Sequence, residues 1–161
     1  MTNSEIKIVD GKNIVLSLKG LAIKIADSVF DELVIGANDI RNRIIKSMEN
    51  TRTAPWWYSR GGKRHYPSAP GNPPAIDSGE LVSRIITDVR DDEIEVGAAA
   101  GAPYAEALEF GTFGKASGRS GSRTGIMAPR PFLFPAVEAE KDSIESNIMA
   151  AMAAAVEDAL K

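Results

Sequence analysis

The chain has 161 residues, 43% apolar and 25% charged, with a formal net charge of −3 and no cysteine. These values fit one globular domain over 1–161 and exclude disulfides and thiolate metal sites. No apolar run reaches the roughly 18 residues of a membrane span, and the opening MTNSEIKIVDGK lacks the pattern of a secretory signal.

The charge is unevenly distributed. No acid lies between Glu49 and Asp77, where Arg52, Arg60, Lys63 and Arg64 fall, and none between Glu109 and Glu138, where Lys115, Arg119, Arg123 and Arg130 fall. The remainder carries 11 basic and 22 acidic residues, a net −11. Segregation on this scale predicts faces of opposite sign.

In chain order, residues 5–18 read as a hairpin. Ile6 and Ile8 alternate with polar neighbours, Asp10-Gly11 makes the turn, and Ile14, Leu16 and Leu18 form the return strand. From Leu21 to Asn50 the period lengthens. Val29, Leu33, Ala37, Ile40, Ile44 and Met48 draw one stripe along the longest helix, interrupted by Gly36 at a kink or a close packing contact. Residues 51–76 carry so many prolines and glycines that a long irregular loop is expected. Trp56, Trp57, Tyr58 and Tyr66 within it require something to pack on.

Asp77 and Glu80 fit a capping box for a short helix. Ile85–Val89 and Ile94–Val96 alternate about Asp91-Asp92 and form the clearest hairpin. A short helix from Pro103 to Phe110 ends at Gly111. The segment 114–125, GKASGRSGSRTG, has the composition of a flexible loop, within a wider loop of about 113–126. A short strand is expected near Met127 or Phe132–Phe134. Pro135 then opens a final helix to about Leu160, with Val137, Ile144, Ile148, Ala151 and Ala155 on its apolar stripe. The expected fold is α+β, with an antiparallel sheet packed against a long N-terminal helix and a C-terminal helix, and with long extended loops.

Catalytic signals are poor. His65 is the single histidine, and Gly118-Arg119-Ser120-Gly121-Ser122 is not a nucleophile elbow. Arg60–Arg64 contains Gly-Lys but has Trp57 where a phosphate-binding loop needs glycine, and no Ser/Thr follows the lysine. Asp91, Asp92 and Glu93 lack calcium-loop spacing. Glu138, Glu140 and Asp142 suit the first turns of a helix better than a metal site. No enzyme activity and no cofactor are expected. The basic loops, with Arg60, Lys63, Arg64, Lys115, Arg119 and Arg123, fit contact with acidic neighbouring copies or, as the alternative, sequence-independent contact with DNA.

Three blocks in order carry a resemblance. The first holds Pro70, Gly71, Pro73, Pro74, Gly79 and Leu81. The second holds Tyr104, Ala105, Glu109, Phe110, Gly111 and Thr112. The third holds Arg130, Pro131, Phe132, Leu133 and Pro135. Together they resemble the head–tail joining proteins of long-tailed bacteriophages, the neck or tail-completion proteins, from Ser68 to the C-terminus. The Trp56-Trp57 pair, the long basic 114–125 loop and Phe134 depart from that pattern.

The resemblance implies a non-enzymatic virion subunit of the head–tail junction, assembled in the host cytoplasm. It implies a ring of six or twelve copies, with head connector, adaptor or stopper proteins on one side and tail terminator or tail-tube proteins on the other. A tail-tube terminator is the alternative within that class. A small DNA-binding protein is the alternative outside it, and a hydrolase dependent on His65 is weaker still. Tyr104, Glu109, Phe110, Arg130 and Phe132 are the expected interface residues. Burial within the subunit is equally open for Phe110 and Phe132, and a Glu109–Arg130 pair is open too.

Overall fold

The computed structural model describes residues 11–49, 51–90, 93–99, 102, 104–112 and 127–159. It has a long N-terminal helix, a C-terminal helix and two small antiparallel sheets, an α+β fold. Contacts within the chain divide it into two compact units, one of residues 1–37 with 140–161 and one of 38–139.

Helix α1 spans Gly11–Glu49. The expected return strand Ile14–Leu18 is therefore helical, while Ile6 and Ile8 lie outside the described residues. The physical reason is continuity. Each residue added to a growing helix gains a hydrogen bond, whereas a lone two-stranded hairpin is marginal in water. The stripe holds where it was drawn for Ala37, Ile44 and Met48, which are buried, but Leu33 is exposed. In the first unit Gly36 is a close contact: a Cβ built there would stand 2.6 Å from Ile144 Cγ1. Lys24 Nζ meets Asp158 Oδ2 at 3.3 Å in the same unit.

The proline-rich segment is not wholly irregular. Strands β1 (Tyr58–Arg60) and β2 (Lys63–His65) pair antiparallel, with Arg60 opposite Lys63. Gly61 (φ 59°) and Gly62 (φ 77°) occupy the turn. A two-residue type I′ turn needs positive φ at both central positions, and Gly-Gly supplies it between flanking prolines at 55 and 67.

Helix α2 spans Glu80–Ser83. Its N-cap is Gly79, in the left-handed region at φ 81°, and not Asp77. Asp77 is engaged elsewhere, accepting from His65 Nδ1 and from the Tyr58 hydroxyl. Strands β3 (Ile85–Val89) and β4 (Ile94–Ala98) form the expected hairpin, with Thr87 opposite Val96. The Arg90 N–H donates to Glu93 O at 2.8 Å across its turn. The Arg90 guanidinium is held further into its charged range by its bond to Asp88, then by Glu95.

Helix α3 spans Ala105–Phe110 and stops at Gly111, as expected. Helix α4 spans Phe134–Ala159. Its inward stripe includes buried Ala136 and Ala155, with Ile144, Ile148 and Ala151 half-buried. Val137, expected on that stripe, is exposed. The core of the second unit gathers Ile44 and Met48 from α1, Ile85 from β3, Ala105 from α3, Phe132, and Ala136 from α4. Full burial of each large member contributes roughly 1.5–3 kcal/mol. No helix among the described residues is long and apolar enough to cross a membrane.

Candidate functional site

The three sequence blocks meet inside the second unit, and Glu109 joins the last two. Helix α4 begins after Arg130-Pro131-Phe132-Leu133, a stretch with no Ser, Thr, Asp or Asn to cap it. The first amides of a helix have no partner within it. Here Glu109, at the end of α3 and only 7% exposed, supplies one from a distance. Phe132 N and Leu133 N donate to its Oε2 at 2.8 and 3.0 Å, and Phe134 N donates to Oε1 at 2.9 Å. Charge-assisted bonds of this kind are about twice as strong as neutral ones, and the carboxylate also faces the positive end of the helix. The expected short strand is therefore absent: Met127 lies in irregular chain, and at Phe132–Phe134 the carboxylate gathers the amides into a helix start.

Backbone bonds set the register. Arg130 N donates to Leu108 O at 2.6 Å, and Thr112 N to Met127 O at 2.9 Å. Met127 N donates back to Thr112 Oγ1 at 2.8 Å. Gly111 has φ 76°, and a Cβ there would lie 2.7 Å from Met127 O. Only glycine meets both conditions, which accounts for Glu-Phe-Gly-Thr as a unit.

The first block closes on the third. Gly71 N donates to Pro129 O at 2.9 Å, and Arg130 Nε to Ser68 O at 3.3 Å. Gly71 itself has φ 81°. Pro74 is buried and Pro70 exposed, while Pro73, Leu81 and Pro131 are half-buried. Glu109 and Arg130 are not paired with each other, since each holds backbone. Phe132 is 3% exposed and belongs to the core, whereas Phe110 and Phe134 are 66% and 65% exposed. Tyr104, the N-cap of α3, is also exposed.

Of the basic candidates, Lys63 and Arg64 lie on the β1–β2 hairpin and Arg60 ends β1. Lys115, Arg119 and Arg123 lie outside the described residues. The Arg64 guanidinium stands 4.5 Å from the centre of the Trp57 ring, and Tyr58 stacks on His65. Sequence reasoning missed the role of Glu109 and the buried Ser68. The available signal was an apolar helix start with no local cap.

Among the described residues, no group of His, Asp and Glu is arranged to hold a metal ion. No family model, curated protein or solved structure matches the chain.

Proposed function

We propose that this chain is a structural subunit of the phage head–tail junction that acts as a closed ring, joining head connector to tail. The single observation that carries the reading is the construction of the motif region. Its polar members, Glu109, Thr112 and Arg130, are spent on the subunit's own backbone, which makes a rigid frame. Its aromatic members divide: Phe132 goes inward, while Phe110 stands out in solvent, as does Phe134, which lies outside the family pattern.

Large exposed aromatics on a rigid frame favour protein contact. The separation of basic and acidic residues along the sequence would give complementary faces for head-to-tail assembly, which closes into a ring when the rotation permits. Reconstruction of assembled particles by electron microscopy tests the proposal. A ring of this chain between connector and tail is expected, with Phe110 against a neighbour or an adjoining protein. A single copy, or a two-fold dimer, overturns it.

A further inference from the structure

The β1–β2 hairpin forms one wall of a cavity of about 400 Å3 in the second unit, and the charge of that cavity is unbalanced. Arg52, Lys63, Arg64 and Arg130 line it, together with Tyr58 and Tyr66. Asp77 is the one acid among the described lining residues, and His65 Nδ1 and the Tyr58 hydroxyl already engage it. None of the four cations has a carboxylate partner among the described residues. Arg130 is half-buried and oriented by its Nε bond to Ser68 O, while Arg52, Lys63 and Arg64 are exposed. The volume lies within the roughly 300–1,000 Å3 of ligand pockets.

We infer that this cavity binds the phosphodiester backbone of nucleic acid, without sequence preference. Four cations lining one cavity match a string of phosphates better than a single carboxylate. Tyr66, exposed and lining the same cavity, offers a face for a base to stack on. An isolated two-stranded hairpin is marginal by itself, so a polyanion seated against it also holds the arm in place. The inference rests on the cavity alone and is independent of the ring.

The test is fluorescence anisotropy of the free protein with labelled random-sequence DNA, single-stranded and duplex, from about 50 to 200 mM salt. Binding in the range of about 10⁻⁴–10⁻⁶ M is expected, weakening with salt at a log–log slope near −3, from four cations at about 0.7–0.9 each. Lys63→Glu/Arg64→Glu should weaken binding at least about tenfold and flatten the slope. Arg52→Glu, a second exposed site, should act in the same direction. Lys141→Glu, exposed on α4 and outside the cavity, should leave binding unchanged. Tyr66→Ala should weaken single-strand binding more than duplex binding. Absence of binding at the lowest salt overturns the inference, as does binding indifferent to the hairpin reversals. Self-association abolished by those reversals, with no DNA binding, also overturns it and assigns the cavity to an acidic neighbour.

Discussion

Glu109 is the residue on which the motif region depends. Truncation to alanine would leave the amides of Phe132, Leu133 and Phe134 without their acceptor, the first buried and the other two part-buried. Each such group costs about 1–3 kcal/mol, so Glu109→Ala should lower stability by about 3 kcal/mol or more. Glu109→Gln keeps an acceptor oxygen and should cost less. Urea denaturation checks the order, with the midpoint falling for both variants and furthest for alanine. Thr87 gives the opposite sign. Its Oγ1 is buried with no hydrogen-bond partner among the described residues. Thr87→Val removes that hydroxyl at nearly constant shape on a strand, where valine is favoured, and should stabilise by about 1 kcal/mol. A rise of roughly 2–4 °C in Tm is expected for a chain of this size. An unchanged or lower Tm would show that the hydroxyl is satisfied.

Among the elements, α1 meets α4 at Gly36 in the first unit. An alanine there improves helix propensity by about 1 kcal/mol. The contact opposes it, because the added Cβ would meet Ile144 Cγ1 at 2.6 Å and Cδ1 at 2.8 Å. Overpacking costs about 1–3 kcal/mol, so the contact wins and Gly36→Ala should destabilise. Gly36→Ala/Ile144→Ala should be better than the sum of the single changes, since the second opens the space that the first needs. A double-mutant cycle on unfolding free energies measures that coupling, and additivity within about 0.5 kcal/mol would disprove the contact. The β1–β2 hairpin depends in turn on Gly61 and Gly62, whose positive φ no bulky residue adopts readily.

For the whole molecule, Phe110 and Phe132 separate assembly from folding. Phe132 is 3% exposed and Phe110 is 66% exposed. Phe132→Ala should therefore lower subunit stability by about 3–5 kcal/mol. Phe110→Ala should leave the isolated subunit as stable as before and still reduce the yield of tailed particles on complementation. Thermal melts of purified subunits, paired with particle counts, check both halves. Normal particle yield from Phe110→Ala would remove Phe110 from the interface. Comparable melting of the two variants would contradict their different burial.

Sequence by itself determined the α+β class, the β3–β4 hairpin, the stop of α3 at Gly111, and the extent of α4. Each of these rests on local signals: alternation, a glycine stop, or a long run of good helix formers. The same local reasoning went wrong where two local answers competed. Ile14–Leu18 alternates like a strand yet continues α1, and Asp77 reads as a cap yet is taken by His65 and Tyr58. Gly61-Gly62 was read with the surrounding prolines as part of an irregular loop, yet it turns the β1–β2 hairpin. Only the tertiary structure decided why the three blocks belong together. Glu109 reaches amides more than twenty residues away, and Arg130 a carbonyl some sixty away. No periodicity encodes such a bond, because its partners are backbone groups that every residue carries, and only the folded chain selects which of them a buried side chain satisfies.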